Sequence, residues 1–263
     1  MQMLKAIYRY RAFILGSILR EFQSKYRNSL LGALWTILNP LAMIIVYTVI
    51  FSQLMQARLP GVGSSFGYSI YLCAGILTWG LFSEITNRCL QIFIDNATLI
   101  KKLSFPRMCL PLIVIGSATL NFLIIFGLFT LFLLMTGNFP GWSYLGMIPV
   151  LIVQILFAAG LGLSLGILNV FFRDVGQFFT VFIQFWFWLT PIIYPITILP
   201  ENIRALIYLN PMTHLIGAYQ NILVRHAWPD WLALWPLALI SGLLCLWSLY
   251  LFRRRAGEIV DEL

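Results

Sequence analysis

The sequence predicts an all-α membrane protein with six transmembrane helices and both termini in the cytoplasm. Of its 263 residues, 60% are hydrophobic and only 10% are charged, whereas about 25% of the residues in a soluble domain are charged. The mean hydropathy is +0.89, and six segments are long and apolar enough to cross a bilayer. This composition excludes an ordinary cytoplasmic enzyme, a disordered protein and a secreted disulfide scaffold.

The six apolar segments each contain the roughly 20 residues that a transmembrane helix needs. They cover about residues 33–55, 68–89, 108–136, 144–171, 176–195 and 231–252. Residues 31–263 therefore form one transmembrane domain, and residues 1–30 form a separate segment before it. We expect no cleavable signal peptide, because the first long apolar run begins near Leu30 behind a basic arm and no small-residue cleavage site follows it.

Positively charged residues decide the predicted orientation, because short loops rich in Lys and Arg stay in the cytoplasm. With both termini inside, all but three of the 17 Lys and Arg residues lie on the inner side. The three outer ones are Arg58, Arg204 and Arg225. The net charge of +8 is therefore a signal of membrane topology, and we expect no nucleic-acid partner.

The segment 1–30 has the pattern of a basic amphipathic helix. Apolar residues recur at helical spacing from Leu4 to Tyr26, and Arg20, Lys25 and Arg27 lie on the more polar side. Such a helix lies in the membrane interface with its cations against anionic lipid headgroups. Either it only anchors the topology, or it also meets a cytoplasmic partner or an anionic lipid-linked substrate.

A short helix is predicted in the cytoplasmic loop between the second and third spans, over about residues 95–103. Asp95 or Asn96 can cap its start, and the two lysines at its end favour the helix dipole. Leu99, Ile100 and Leu103 would leave an apolar edge exposed, and such an edge usually docks on a partner. The alternative is an ordinary loop without a partner. The residues assigned to docking are Asp95, Asn96, Leu99, Ile100, Lys101 and Lys102.

Residues 200–226 predict a helical hairpin on the outer face rather than a seventh span. Charged residues and prolines interrupt this region, and a seventh span would place the basic cluster at 253–255 outside. The second helix of the hairpin would begin with Asn210 as N-cap and Pro211 at its first position. At about 14 residues it is too short to cross the bilayer. Its apolar face would consist of Met212, Leu215, Ile216, Tyr219, Ile222 and Leu223.

Aromatic side chains crowd the fifth span. Phe178, Phe182, Phe185 and Trp186 form a stripe at helical spacing, with Tyr194 near the outer end. A face of rings could line a conduit for a substrate with apolar faces and many hydroxyl groups, because the C–H faces of sugars rest on rings without tight directional bonds. The alternative is that these rings face lipid or pack within the protein.

The spans contain few groups that could carry catalysis. Glu84 and Arg88 lie one helical turn apart near the cytoplasmic end of the second span, where pairing or snorkelling explains them. The four cysteines lack metal-ligand spacing, and we expect neither a catalytic residue nor a metal site. The sequence has no Gly-x-x-x-x-Gly-Lys-Ser/Thr loop for ATP, so another subunit must supply the energy for transport against a gradient. Pro40 should kink the first span, because its ring displaces a backbone hydrogen bond.

Five ordered blocks of the sequence resemble the membrane subunit of ABC-2-type polysaccharide exporters, the Wzm/KpsM/TagG group. The blocks are REFQSKYRNSLLGALWTILNPLAMI at 20–44, NATLIKKLSFPRMCLP at 96–111, FFRDV at 171–175, TPIIYP at 190–195 and LNPMT at 209–213. The resemblance covers essentially the whole chain and is closest to the O-antigen (Wzm-like) branch.

The resemblance implies a homodimeric channel in the bacterial inner membrane, with two copies of a separate Wzt-like ATPase docked below. ATP and Mg would be bound by that ATPase, and this chain would hold no cofactor. Residues 95–103 would be the coupling helix, residues 10–27 the interface helix and the 200–226 hairpin the periplasmic gate. The first and fifth spans would line the conduit. The cargo would be a polysaccharide on undecaprenyl diphosphate, moved from the cytoplasmic to the periplasmic side.

Three alternatives remain open from the sequence. A capsule or teichoic-acid exporter would share all of these features. An ABC-2 exporter of drugs or ordinary lipids would share the architecture but not the cargo. An intramembrane glycan-modifying enzyme would need an acid/base residue within a span, for which Glu84 is almost the only candidate.

Overall fold

The computed structural model describes residues 8–24, 34–50, 66–102, 108–255 and 257–262, and over these ranges the chain is helical with short connections and no β-strand. The all-α class is therefore confirmed. The helices are α1 (Arg11–Ser24), α2 (Trp35–Thr48), α3 (Gly67–Asp95), α4 (Ala97–Lys102), α5 (Cys109–Met135), α6 (Met147–Phe171), α7 (Asp174–Trp188), α8 (Glu201–Tyr208), α9 (Pro211–Arg225), α10 (Trp231–Arg255) and α11 (Glu258–Glu262). Short 3-10 turns over Gly141–Gly146 and Ile196–Ile198 precede α6 and α8.

Four stretches within the described ranges have the length and apolar character of a membrane span. They are α3, α5, the continuous stretch Gly141–Phe171 that contains α6, and α10. α2 has 14 residues and α7 has 15, and each lies in a predicted span but is shorter than the roughly 20 residues that crossing requires. The six-span count and the cytoplasmic position of both termini stay predictions.

α6 lies at the centre of the bundle, with α3 packed along one side of it and α10 along another. α3 and α10 each approach α6 closely at one of its glycines. A Cβ added at Gly166 would lie 2.4 Å from the carbonyl oxygen of Cys89 in α3, and one at Gly160 would lie 2.8 Å from the backbone nitrogen of Cys245 in α10. Small residues let transmembrane helices approach each other closely. The glycines of α6 therefore set the spacing of the three central helices.

The hairpin formed by α8 and α9 matches its prediction in detail. The side chain of Asn210 accepts a hydrogen bond from the backbone nitrogen of Met212 at 3.0 Å, and Pro211 begins the helix. His226 ends α9 in the left-handed conformation, with φ of 55°. All six residues of the predicted apolar face, Met212, Leu215, Ile216, Tyr219, Ile222 and Leu223, are fully buried. This face packs against α3 and α6, so the hairpin is part of the bundle rather than a loose loop.

The amphipathic helix α1 packs against α5. A Cβ at Gly116 in α5 would lie 2.5 Å from the Cδ1 atom of Ile18 in α1, so Gly116 provides the space for this contact. Arg20 is exposed and donates to the hydroxyl of Ser17 at 2.9 Å, which leaves it on the outer side of the helix as predicted. Lys25 and Arg27 lie outside the described residues.

α2 continues as a helix through Pro40, which is buried. Pro40, Ile44 and Thr48 share one narrow buried stripe, and most other described side chains of α2 are exposed. The proline removes one backbone hydrogen bond from the helix, yet it does not end the helix. The predicted kink stays a prediction.

Candidate functional site

The aromatic stripe of the fifth span lies on an exposed face of α7. Phe178 is 70% exposed and Phe185 is 65% exposed, and Phe182 and Trp188 are exposed between and beyond them. The rings of Phe178 and Phe182 are stacked with their centroids 6.0 Å apart. α7 packs mainly against α3 and α6, and Phe179 and Ile183 on its opposite side are buried. The exposed face is therefore continuous along the helix.

Two glutamines lie beside this stripe and were missed from the sequence. Gln177 and Gln184 are both exposed, and neither amide forms a hydrogen bond with another described residue. They are seven residues apart, which places them on one side of a helix. An amide without a partner is costly in hydrocarbon, so this face is poorly suited to lipid. The available signal was the recurrence of a polar residue after seven positions in an otherwise apolar helix.

The structure places Trp186 differently from the rest of the predicted stripe. Its indole nitrogen donates to the side-chain oxygen of Asn210 at 2.8 Å, and its ring makes edge contacts with those of Trp79 and Phe82 in α3. Trp186 therefore points into the bundle and joins α7 to the start of α9. Its assignment as a channel-lining residue stays a prediction, and its half-buried indole N–H is already paired with Asn210.

α7 ends at Trp188, seven residues before the predicted end of the span, and an irregular segment follows. Tyr71 in α3 donates to the carbonyl oxygens of Pro191 and Tyr194, both at 3.0 Å, and Tyr68 donates to that of Ile193 at 2.5 Å. These bonds satisfy backbone carbonyls that a helix would otherwise pair.

Tyr194, which was predicted to line the conduit, instead turns back toward the end of α7. Its hydroxyl donates to the carbonyl oxygen of Trp188 at 2.9 Å. The side chain thus satisfies one of the unpaired carbonyls at the C-terminal end of the helix. The channel-lining role of Tyr194 stays a prediction.

The short helix predicted between the second and third spans is present as α4, but its apolar edge is narrower than predicted. Leu99 is 40% exposed, whereas Ile100 is only 4% exposed. The amide nitrogen of Asn96 donates to the carbonyl oxygen of Ile92 at 2.8 Å, and capping by Asp95 or Asn96 stays a prediction. Asp95 and Lys101 are exposed, and the side chain of Lys102 lies outside the described residues. The docking edge predicted from three apolar residues is thus reduced to Leu99 among those described.

α11 packs beside α4, which contains the buried Ile100, and this arrangement was not predicted from the sequence. α11 contacts both α4 and α6, and its Ile259 is fully buried in the same apolar cluster as Ile100. Arg255 forms an ion pair with Glu258 at the junction of α10 and α11, and its guanidinium lies 5.5 Å from the ring centroid of Phe171. The C-terminal helix α11 therefore packs beside α4.

A group of charged and polar residues joins α1 to two long helices. Arg88 forms ion pairs with Glu21 of α1 at 2.5 Å and with Glu84 at 3.5 Å, and it donates to the hydroxyl of Ser117 at 2.9 Å. Asn121 donates to the second carboxylate oxygen of Glu84 at 3.2 Å. The predicted pairing of Glu84 with Arg88 is confirmed. These contacts give Glu84 a structural role at the junction of α1, α3 and α5.

The family model for ABC-2 type transporters matches residues 13–224, which include every described helix from α2 to α8 and most of α1 and α9. The chain belongs to the ABC-2 type transporter family. It is an integral membrane permease of that family, and its helices α10 and α11 lie beyond the matched region.

Several curated proteins resemble this ABC-2 transporter. It is 30% identical over 264 residues to the O-antigen export system permease protein RfbA of Myxococcus xanthus, covering 100% of this chain and 99% of that protein. It is 31% identical over 207 residues to the RfbA protein of Klebsiella pneumoniae, covering 78% of each. The polysialic acid transport protein KpsM of Escherichia coli is 23% identical over 249 residues, with 93% of each chain covered. The resemblance stated from the sequence blocks is thereby confirmed.

Proposed function

We propose that this ABC-2 transporter is the channel-forming permease subunit of an ATP-driven exporter of polysaccharide. It moves an O-antigen type polymer linked to undecaprenyl diphosphate from the cytoplasmic to the periplasmic side of the bacterial inner membrane. The observation that carries the proposal is the exposed face of α7, on which aromatic rings lie beside two glutamines without partners. The relatives named as O-antigen export permeases support the cargo class.

The chemistry of the α7 face suits a sliding sugar polymer. The C–H faces of a pyranose can rest on the rings of Phe178, Phe182 and Phe185, and its hydroxyl groups can exchange hydrogen bonds with the amides of Gln177 and Gln184. Neither contact is ionic, so no single sugar is held tightly. Weak repeated sites of this kind allow a long chain to pass without stopping.

The same face argues for a dimer. The buried residues of α7 lie on one side of the helix, and the described side chains of α2 are also mostly exposed. Two copies that bring α2 and α7 together around a common axis would enclose a conduit and remove the glutamines from lipid. We therefore propose a homodimer with the conduit between the copies.

Energy would come from a separate ATPase, present in two copies, that holds ATP and Mg²⁺. The sequence has no phosphate-binding loop of its own. α4 follows the cytoplasmic end of α3 in the predicted topology, and its Leu99 is an exposed apolar side chain on a polar surface. We propose that α4, steadied by α11, is the element that enters the ATPase.

The relative KpsM favours one second candidate, a capsule-type polymer. Its name specifies transport of polysialic acid, which is an anionic glycan, but its identity to this chain is 23%, against 30% and 31% for the O-antigen permeases. The exposed face of α7 carries no cation among its residues. A neutral polymer therefore fits this face better than an anionic one.

The decisive experiment substitutes Leu99 alone, because Ile100 is buried and its replacement would disturb the fold. Tagged permease is purified with its ATPase from a deletion strain, and surface polysaccharide is measured in the same cells. We expect Leu99→Asp to insert normally but to lose both the co-purified ATPase and the surface polysaccharide. The matched control is Leu206→Asp, because Leu206 is similarly exposed but lies on the outer hairpin, and it should retain the ATPase.

Three results would contradict parts of the proposal. If Leu99→Asp keeps the ATPase and exports normally, α4 is not the docking helix. If deletion of the gene leaves surface polysaccharide intact, the cargo is wrong, and altered tolerance to drugs would then favour the drug or lipid exporter. If the purified chain modifies glycans without any ATPase, it is an enzyme.

A further inference from the structure

We propose that a cavity on the predicted outer side binds a single sugar residue of the exported polymer. This inference rests on the proposed function and adds a specific binding site to it. The cavity has a volume of about 280 Å³ and lies between α9, the irregular segment 191–197, the start of α10 and Tyr71 of α3. Small-ligand sites occupy about 300–1,000 Å³, so this cavity has room for one sugar ring and not for a longer segment.

The wall of the cavity combines ring faces with polar groups of both kinds. Tyr71, Tyr208 and His214 contribute aromatic surface, and Gln220 and Asn221 contribute amides. Aromatic faces accept the C–H side of a pyranose, while amides donate to and accept from neighbouring hydroxyl groups. This mixture differs from two shallower pockets in the described part of the chain, whose linings are almost wholly apolar.

Two charged residues at the cavity have hydrogen-bonding capacity that the protein does not use. Arg225 lines the cavity and forms no ion pair or hydrogen bond with any described residue. Asp230 uses its Oδ1 atom to cap α10, accepting from the backbone nitrogens of Leu232 at 3.0 Å and Ala233 at 3.3 Å, and no described group donates to its Oδ2 atom. The two side chains do not pair with each other.

An unpaired guanidinium and a half-used carboxylate fit a neutral ligand with many hydroxyl groups. The guanidinium can donate to two neighbouring hydroxyls, and the carboxylate can accept from another. An anion would gain from Arg225 but would be repelled by Asp230, and a cation would meet the reverse. A neutral sugar ring satisfies both groups at once.

The floor of the cavity is fixed before any ligand arrives. Tyr71 and Gln220 are buried, and both donate to the carbonyl oxygen of Pro191, at 3.0 Å and 3.3 Å. The buried apolar face of α9 packs against α3 and α6, which fixes the position of the helix. A preformed site loses less conformational entropy on binding than one that must be assembled.

Gly217 leaves the space that the ligand would fill. It lines the cavity on α9, and a Cβ added there would have no atom within 4 Å. Gly is about 1 kcal/mol less favourable than Ala within a helix. A larger residue at this position would therefore stabilise the helical conformation of α9 while its side chain occupied the cavity. Gly217→Leu therefore blocks the site without an expected loss of folding. The matched control is Gly242→Leu in α10, where an added Cβ also meets no atom within 4 Å and the residue lies away from the cavity.

The test measures sugar binding by saturation-transfer NMR to the permease with its ATPase in lipid nanodiscs. The probe is a set of short oligosaccharides released by mild acid hydrolysis from the surface polysaccharide of the strain that carries the gene. We expect saturation transfer with the parent and with Gly242→Leu, and its loss with Gly217→Leu. Asp230→Asn keeps a good helix cap but removes the charge, and we expect about tenfold weaker binding.

Two outcomes would overturn the inference while leaving export untouched. One is equal saturation transfer to Gly217→Leu and Gly242→Leu, and the other is no transfer to the parent complex. Export itself is tested separately by deletion and complementation of the gene. If the deletion strain keeps its surface polysaccharide, the proposed function fails, whatever the cavity binds.

Discussion

α6 and α7 follow one another in the chain and are both strongly apolar, but their surroundings are opposite. α6 is enclosed by α3 and α10, and its contacts are made at glycines. α7 has one packed side, and its other side presents large rings and glutamines. The difference teaches that hydrophobicity alone does not distinguish a fully packed helix from a helix with an exposed face. The two kinds of helix are distinguished by the size of their apolar residues and by the placement of their polar ones.

The junction between the two helices makes the contrast sharper. Asn169, near the end of α6, accepts from the backbone nitrogen of Gly176 at 2.9 Å and donates to the carbonyl oxygen of Leu90 at 3.3 Å. The first turn of α7 is thereby attached to both α6 and α3. α7 is therefore exposed on one face even though its first turn is held in place by these hydrogen bonds.

The largest effect is expected on folding, from a substitution in the packed helix α6. Gly166→Leu would place a side chain against the carbonyl oxygen of Cys89, where even a Cβ lies at 2.4 Å. Overpacking a core costs about 1–3 kcal/mol, and more when the backbone itself must move. We expect little folded protein by fluorescence-detected size exclusion. Gly127→Leu in α5 has no atom within 4 Å of its Cβ and should fold normally, and normal folding of both variants would refute the close contact.

A smaller effect is expected from the rings of α7, and it should appear in export and not in folding. Phe182→Ala removes one ring from the stripe, and an aromatic contact is worth about 0.5–1.5 kcal/mol. We expect export of long chains to slow by about two- to tenfold, measured from the amount and chain length of surface polysaccharide. Leu246→Ala on the exposed side of α10 is the control. Equal effects of the two variants would mean that the rings of α7 merely face lipid.

Gln184→Leu sharpens the same comparison because conduit and lipid predict opposite results. If the face of α7 met lipid, leucine would raise the thermal stability of the protein and leave export unchanged. If it lines a hydrated route, we expect a few-fold loss of export with unchanged thermal stability. Thermal unfolding and surface polysaccharide are measured together, with Leu246→Gln as the reverse substitution on α10. A more stable Gln184→Leu protein with normal export would disprove the lining role.

The smallest effect is expected at the ion pair between α1 and Arg88. Glu21 is more than one-third exposed, and pairs of this kind contribute about 1 kcal/mol or less. Glu21→Gln should lower thermal stability slightly, and the difference should shrink as salt is added because exposed charges are screened. Unfolding curves at low and high salt measure this. A large decrease that is insensitive to salt would mean that Glu21 acts through packing and not through charge.

The sequence predicted best what depends on neighbouring residues. The hairpin was predicted down to its N-cap, because Asn210, Pro211 and the apolar spacing of α9 act within one helix. The packing of α4 against α11 could not be predicted, because α11 lies at the far end of the chain. The role of Trp186 depends likewise on Asn210, which lies on another helix.

One miss had a usable local signal. The residue before a proline disfavours the helical conformation, so helices usually end at or before it. Pro191 therefore indicated that α7 would stop near Thr190, as it does at Trp188. The predicted span continued to residue 195 because residues 189–195 remain largely apolar.

The early end of α7 bears on how much dry distance a polymer must cross. Fifteen helical residues extend about 22 Å, whereas the hydrocarbon layer is about 30 Å thick. Beyond Trp188 the chain is irregular, and the hydroxyls of Tyr68 and Tyr71 hold its carbonyls in place. If α7 begins at the inner edge of the hydrocarbon layer, a conduit built on it would lose its helical wall about 8 Å before the outer edge. The dry distance that a hydroxyl-rich chain must cross would then follow from the length of this helix rather than from the thickness of the membrane.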